Sequence, residues 1–301
     1  MSRRSFLLIF VVISTFFMLA GYVLQWMEDD SREHLSPARL ELARQEAGDS
    51  REGSDNTDPA RKMPVDRQAR SAVIAFTFDD GYISDYELAF PLFKKYSIKG
   101  TSYIIGKYPD SNTPCTMTWA QIREMHDCGW DFGCHTYSHV DLTKLDNDQI
   151  YFEMERENIA FLRNGLPLPR SCAFPFGAYN PQVVDALKSF FRQFRKAYYE
   201  SKFVDLRDTQ PWEVDSVSAD MQGESRLLSR EKLVDKACAE KAILVFRVHC
   251  IYREKADDMG RWPVQTSYKL FEQLVEYCVQ KGCTFVTMEE LMDMCAQSPD
   301  G

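Results

Sequence analysis

From residue 72 onward, short apolar segments alternate with longer amphipathic ones, and this alternation limits the possible folds more than any other feature. Repeated strand-helix units of this kind imply a parallel sheet with helices packed against it. The periodicity is compatible with an open sheet and with a closed barrel. The sequence therefore predicts an α/β fold, with strands at 72–78, 101–105, 171–174, 242–248 and 284–286, and helices at 86–96, 119–128, 146–162, 181–190, 230–240 and 266–281.

The first residues contain an uncharged, almost continuously apolar run from Ser5 to Trp26. Such a run is long enough to cross a bilayer as a helix. Arg3 and Arg4 precede it and acidic residues follow it. The positive-inside rule therefore leaves the N-terminus in the cytoplasm and exports the rest of the chain. We predict an uncleaved transmembrane signal anchor over residues 1–27.

Two alternatives to the anchor remain open from the sequence. Ala20 and Gly21 are small residues at which a cleaved signal peptide would be cut. Residues 2–7 also resemble a twin-arginine export signal. All three interpretations predict export, so the remainder of the chain is expected to be extracytoplasmic, in the periplasm or outside the cell.

Residues 28–70 are predicted to form a flexible charged linker. Charges of both signs dominate this segment, apolar side chains are sparse, and Gly and Pro interrupt any periodicity. A segment of this composition does not bury enough apolar surface to fold by itself. The remaining part, residues 71–301, is long enough for one domain with a sizeable core.

Two short motifs within this domain indicate a metal site. Asp79 and Asp80 end the first predicted strand and precede Gly81, and His135 and His139 are spaced at i and i+4, which would be one turn of a helix. Two imidazoles and one carboxylate are a common ligand set for a divalent ion that activates water. One carboxylate of the pair would be a ligand, which leaves the other to accept a proton from the attacking water.

These motifs and three further segments resemble, in the same order, the polysaccharide deacetylases of carbohydrate esterase family four. The resemblance covers about residues 71–295. It implies a distorted (β/α) barrel with about seven units. The segments that carry it are 77–81, the helix opened by Trp119, 135–139 followed by Asp141 and Leu142, 174–180, and 244–249.

The resemblance also implies a role for each matching residue. Asp80, His135 and His139 would be the metal ligands, with zinc favoured and cobalt, nickel, iron or manganese as alternatives. Asp79 would be the catalytic base. His249 would be the general acid that protonates the leaving amine, and the backbone N–H of Phe176 would help to hold the oxyanion.

The sequence departs from the family pattern in two places. Many members carry an Arg before the Pro of the third segment, where it orients the base, whereas Ala173 and Phe174 precede Pro175 here. Another subgroup also has an apolar residue there, so the base's partner is not identified by the sequence. Trp212 and Asp215 lie in the region of an Asp-Trp element that lines the pocket, but in the wrong local order.

The sequence therefore predicts a metal-dependent hydrolase that removes acetyl groups from an N-acetylhexosamine polysaccharide at the cell envelope. The alternatives are a catalytically weak or inactive glycan-binding homologue and an O-acetyl esterase acting on the same kind of polymer. The formal net charge of -9 argues against a nucleic-acid partner. The predicted partners are the acetylated glycan and, through the N-terminal span, the membrane. The sequence leaves the oligomeric state open.

The cysteines allow no pairing to be assigned. The chain contains nine, an odd number, and no C-x-x-C motif. An exported domain permits disulfides. Cys172 and Cys238 occupy positions where buried apolar residues are expected, and a thiol in such a place acts as a small hydrophobic group.

Overall fold

The protein is described by a computed structural model over residues 72–111, 113–198, 213–221, 223–253 and 265–296. Its strands within these ranges are β1 (Val73–Phe78), β2 (Thr101–Ile104), β3 (Asp131–Cys134), β4 (Ser171–Ala173), β5 (Gln193–Tyr198), β6 (Glu213–Ser218), β7 (Ile243–Val248), β8 (Cys250–Tyr252), β9 (Gln265–Ser267) and β10 (Thr284–Phe285).

Strands β1 to β7 form a closed barrel. Each pairs in parallel with the next along the chain, and β7 pairs in parallel with β1 along its whole length. The short β10 also pairs with the first residues of β1, ahead of the point at which β2 begins to pair. The predicted (β/α) barrel of about seven units is confirmed.

Helices follow most of the barrel strands. A short π-helix, Asp85–Ala89, runs directly into the first α-helix. Two helices begin at capping boxes, in which the side chains of Thr118 and Asp146 accept hydrogen bonds from the backbone three residues later. The α-helices are α1 (Phe90–Lys95), α2 (Trp119–Asp127), α3 (Asn147–Arg163), α4 (Pro181–Leu187), α5 (Glu224–Glu240), α6 (Tyr268–Gln280) and α7 (Met288–Ala296).

The predicted set of elements lacked β3, β5, β6, the short β8 and β9, and α7, and it began α5 at Arg230 instead of Glu224. The three barrel strands were missed because they are not continuously apolar. Gln193 and Arg195 of β5 are polar and are nevertheless fully buried. A strand that places polar side chains in a buried interior does not show the apolar run by which buried strands are recognised.

The strands of the barrel are buried on both faces. In β1, Val73 and Ala75 pack in a cluster with residues of β2, β4, β6, β7 and α7, which is the barrel interior. Ile74, Phe76 and Phe78 point the other way and pack in the cluster formed with the helices. The alternation follows from the two-residue period of a strand. Because all seven strands are parallel, their C-terminal ends lie at one edge of the barrel.

Several predicted features lie outside the described residues: the signal anchor at 1–27, the linker at 28–70, and Trp212. Within the part of the chain that the structure describes, no helix has the length and apolar character needed to cross a membrane.

Candidate active site

The two adjacent carboxylates lie at the sharp turn that ends β1. Asp79 still follows the barrel hydrogen bonding, because its N–H donates to the carbonyl of Val248 at 2.9 Å. Asp80 and Gly81 then both adopt positive φ, 74° and 72°. A non-glycine residue in this region is uncommon and is found most often at functional sites. The turn directs both carboxylates into the same end of the barrel.

The two histidines lie in a loop after β3, and the helical spacing of the pair was misleading. Thr136 and His139 have positive φ values of 65° and 59°, which a right-handed helix does not allow. The loop is tied to α3, because the N–H and hydroxyl of Ser138 donate to Glu153 at 2.9 and 2.7 Å. This loop brings the two imidazole centroids to 4.9 Å from each other.

Asp80, His135 and His139 present three ligand atoms that all lie within 4.8 Å of one another. Oδ1 of Asp80 is 3.5 Å from Nε2 of His135 and 3.4 Å from Nε2 of His139. Ligands about 2.1 Å from a tetrahedral ion are about 3.4 Å apart, so these separations fit an ion of the size of zinc. The predicted ligand set is therefore assembled as one group.

The two imidazoles are also oriented as metal ligands. Nδ1 of His135 is 2.8 Å from the carbonyl of Ala173. Because a carbonyl only accepts, Nδ1 donates this hydrogen bond, and Nε2 is the nitrogen that faces the site. Burial and the neighbouring His135 lower the pKa of His139 to about 4, so this ring is neutral at pH 7.

Asp79 is buried and forms an ion pair with Arg195, which sequence reasoning missed. Nη2 of Arg195 donates to Oδ1 of Asp79, and both side chains are almost inaccessible to solvent. Burial alone would raise the pKa of Asp79, but the Arg195 guanidinium and two neighbouring imidazoles hold it well below its usual value. Asp79 is therefore an anion at neutral pH.

Arg195 lies directly opposite the position where the family pattern has its arginine. Ala173 on β4 and Arg195 on β5 are paired Cα partners in the sheet. The guanidinium thus reaches Asp79 from the next strand along. The sequence signal was weak, because Arg195 lies next to Lys196 and close to Arg192, and charged residues in such a segment usually occupy solvated positions.

His249 follows β7 and is held by Asp220, another residue that sequence reasoning missed. The backbone N–H of His249 donates to Oδ1 of Asp220 at 2.8 Å, and the ring nitrogen Nδ1 lies 2.9 Å from Oδ2 of the same carboxylate. Its Nε2 lies 3.7 Å from Oδ2 of Asp79. Burial alone would lower the pKa of His249, but the hydrogen bond and charge of Asp220 raise it above its usual value.

Phe176 lies at the rim of the site. Its ring centroid is 4.5 Å from that of His139, its side chain is 66% exposed, and its φ of 58° is in the left-handed region. Of the pair proposed for the pocket lining, Trp212 lies outside the described residues, and Asp215 lies 3.4 Å from Nζ of Lys196.

The family model described as polysaccharide deacetylase matches residues 66–193. The YxkH protein of Bacillus subtilis, a polysaccharide deacetylase by name, is 26% identical over 163 residues, which are 54% of this chain and 51% of that protein. The poly-beta-1,6-N-acetyl-D-glucosamine N-deacetylase of Staphylococcus epidermidis is 30% identical over 123 residues, 37% of this chain and 43% of that protein. The chain thus spans about half or less of the length of these curated relatives.

The fold is similar to that of the Xyl-CE4 domain of a multidomain xylanase from the hindgut metagenome of Trinervitermes trinervoides. The TM-score is 0.53 at 20% identity, over 77% of this chain and 94% of that one. The family match includes the turn after β1, the histidine loop and the segment around Phe176, and it ends before Arg195, Asp220 and His249. With these motifs in order at one end of a seven-stranded barrel, the family match and the curated relatives support an assignment to the polysaccharide deacetylases of carbohydrate esterase family four.

Proposed function

We propose that this domain is a divalent-metal-dependent N-deacetylase of an N-acetylhexosamine polysaccharide. The observation that carries the proposal is the close grouping of a metal-ligand triad, a buried anionic carboxylate and a histidine with its own acidic partner. A carboxylate that is an anion at neutral pH beside a histidine whose pKa is raised provides one group to accept a proton and one to donate it.

Asp80, His135 and His139 would hold the ion, with zinc favoured by the two nitrogens and one carboxylate. Cobalt, nickel, iron and manganese accept the same ligand set. When bound, the ion supplies Lewis-acid activation of the acetyl carbonyl and of water.

Asp79 is assigned the general base. Arg195 holds its Oδ1, so that Oδ2 remains directed toward the space beside His249. In this position Asp79 would accept the proton of the attacking water. The ion pair fixes the carboxylate in one orientation, which is the requirement for efficient proton transfer.

His249 is assigned the general acid. Because Nδ1 is held by Asp220, the proton to be given away is the one on Nε2, on the side of the imidazole that faces Asp79. The hydrogen bond and the charge of Asp220 raise the pKa of His249, which favours retention of that proton. It would pass to the leaving nitrogen of the acetamide, and the backbone N–H of Phe176 would stabilise the oxyanion.

A glycan substrate is supported by the rim of the site and by one relative. The Staphylococcus epidermidis protein is named for a poly-N-acetylglucosamine substrate. Phe176, 66% exposed, presents aromatic surface beside His139, and Tyr179, 41% exposed, lies three residues further along the chain; a sugar ring can stack on such surfaces. We place the enzyme at the cell envelope, anchored by residues 1–27 with its barrel outside the cytoplasm.

Acetate release by the full chain tests this function. The substrates are acetylated glucosamine polymers, peptidoglycan and an O-acetylated xylan, assayed as purified, after chelation, and after zinc is restored. We expect acetate from an N-acetylated polymer, loss of activity on chelation and recovery with zinc. His135→Ala should be inactive, whereas His126→Ala, at a half-buried histidine on α2 outside the site, should behave as the parent.

The other outcomes identify the alternatives. Acetate from the xylan alone would show an O-acetyl esterase. Binding of a glycan without acetate release would show a binding homologue. The Arg195–Asp79 ion pair argues against the second alternative, since it restores the partner of the base that Ala173 does not supply.

A further inference from the structure

Two cysteine side chains lie close to each other, away from the motifs of the candidate active site. Cys238 lies near the end of α5, and Cys283 lies in the turn between α6 and β10. Their sulfur atoms are 3.7 Å apart, although 45 residues separate them in sequence. Both side chains are half-buried, so solvent reaches this pair. A third thiol, that of the buried Cys278 on α6, interacts with Cys283.

Polar contacts hold α5 and α6 together beside the two thiols. Asp235 of α5 accepts a hydrogen bond from the hydroxyl of Tyr277 at 2.8 Å, and Nζ of Lys281 lies 2.5 Å from the same carboxylate oxygen. The N–H of Cys283 donates to the carbonyl of Cys278 at 3.2 Å. These contacts fix the backbone on both sides of the pair, so the thiols are held near each other in the folded state.

We propose that Cys238 and Cys283 form a disulfide when the domain meets an oxidising disulfide donor. The sulfur atoms need to approach from 3.7 Å to about 2.05 Å, which a small rotation of the side chains supplies. Four other thiols suit the reaction less well, because Cys134, Cys172, Cys250 and Cys278 are buried away from an external reagent.

The chemistry is a pair of thiol–disulfide exchanges. The thiolate of one cysteine attacks a sulfur of the donor disulfide, forms a mixed disulfide and releases one donor thiolate. The second cysteine, as its thiolate, attacks the mixed disulfide and releases the other donor thiolate. The protein dithiol loses two electrons and two protons, and the donor disulfide is reduced to two thiols.

The cross-link would close a loop that contains β7, His249 and all of α6. Closing a loop of this length reduces the conformational freedom of the unfolded chain, so the melting temperature should rise by about 5–10 °C. This inference does not rest on the proposed deacetylase activity, because neither thiol touches the residues of the site.

The test treats the purified full chain with oxidised glutathione or with dithiothreitol, blocks remaining thiols by alkylation, and maps the peptides without reduction. We expect a cross-linked peptide pair containing Cys238 and Cys283 only in the oxidised sample, with the rise in melting temperature. Cys238→Ser and Cys283→Ser should each lose both signals. Cys278→Ser and Cys128→Ser, at a buried and an exposed thiol, should keep them.

The mapping of the parent protein is informative even if a serine variant fails to fold. The proposal would be overturned if Cys238 and Cys283 were both alkylated after oxidation. It would also be overturned if Cys283 were cross-linked to Cys278 instead. A Cys238–Cys283 cross-link without a rise in melting temperature would overturn its stabilising effect. Acetate release is not used as a readout, so failure of the deacetylase proposal would leave this result unaffected.

Discussion

Among the residues outside the proposed metal-ligand triad, Arg195 has the side chain on which the candidate site depends most. It is fully buried, and its ion-pair partner Asp79 is 116 residues away in sequence. Its guanidinium also lies 5.1 Å from the ring centroid of Tyr103. Removal of one partner from a buried ion pair leaves an uncompensated charge, which typically costs about 3–5 kcal/mol of folding free energy. Arg195 therefore orients Asp79, the proposed base, and compensates the negative charge that this buried carboxylate carries.

We expect Arg195→Ala to lower kcat/KM for deacetylation by ~10²-fold or more, because the base would lose its fixed orientation. Ala173→Arg, introduced into that variant, should recover part of the loss, since residues 173 and 195 are register partners on adjacent strands. Arg192→Ala, at an exposed arginine before β5, is the matched control and should change little. Steady-state kinetics and thermal melting of all four proteins test this. Equal activity in the single and double variants would contradict the positional argument.

The adjacent carboxylates Asp79 and Asp80 should respond differently to the same substitution. Asp80→Asn replaces an anionic ligand by a neutral amide, so it should weaken metal binding, and excess metal should partly restore activity. Asp79→Asn should keep the ion and lose the proton acceptor, with a fall in rate of ~10²–10⁴-fold that added metal does not reverse. Elemental analysis and acetate release decide the assignment. Metal loss in Asp79→Asn with retention in Asp80→Asn would reverse the two roles.

At the scale of elements, the site is built from loops that helices hold in place. The histidine loop leaves β3 and is fastened to α3 through Ser138 and Glu153. A helix would have spaced the two imidazoles by its own geometry, whereas this loop needs left-handed backbone at Thr136 and His139. The arrangement of the ligands therefore depends on packing between the loop and α3.

Asp131 joins three elements at the start of β3. Its Oδ2 accepts hydrogen bonds from Oγ1 of Thr101 on β2, at 2.9 Å, and from the N–H of Glu289 on α7, at 3.1 Å. Burial, with the negative charge of Glu289, raises the pKa of Asp131 to about 6 from 3.8. The folded state thus binds this proton more tightly than the unfolded state does.

The contribution of Asp131 to the free energy of unfolding should therefore be complete below about pH 4 and lost as the pH rises through 6. Asp131→Asn keeps an oxygen acceptor and does not titrate. The stability of the parent relative to this variant should fall by about 1–2 kcal/mol between pH 4 and pH 7, as measured by urea unfolding. The exposed Asp148→Asn is the control and should show a smaller change. If the stability of the parent relative to Asp131→Asn rose with pH instead, the pKa of Asp131 would be lowered in the folded state.

At the scale of the whole molecule, the barrel collects the residues of the candidate site at one edge, from the ends of β1, β3 and β7. The attachment of this barrel to a membrane is a separate prediction from the sequence. If residues 1–27 form a signal anchor, the full chain should remain in the membrane fraction, and protease added to intact cells should digest the barrel. Full-length protein protected from the protease would contradict export. A soluble, N-terminally processed product would favour the cleaved signal peptide.

The sequence by itself determined the features that depend on neighbouring residues. The apolar runs located five strands, and helical periodicity located six helices, because those signals are local. The residue types also identified His135, His139 and one carboxylate of the Asp79–Asp80 pair as a ligand set, and the family resemblance selected Asp80, the carboxylate that the structure groups with the two histidines. Chemical identity limits which side chains bind a divalent ion, so this information is present in the chain before it folds.

Tertiary structure alone decided which distant groups complete the site. The register between β4 and β5 places Arg195 opposite Ala173, and the return of the chain to β7 places His249 beside Asp220. No local pattern marks either partner, because a buried charge in a strand has the same sequence signature as an exposed one. The energy of a buried charge depends on what surrounds it, and those surroundings exist only once the barrel has closed.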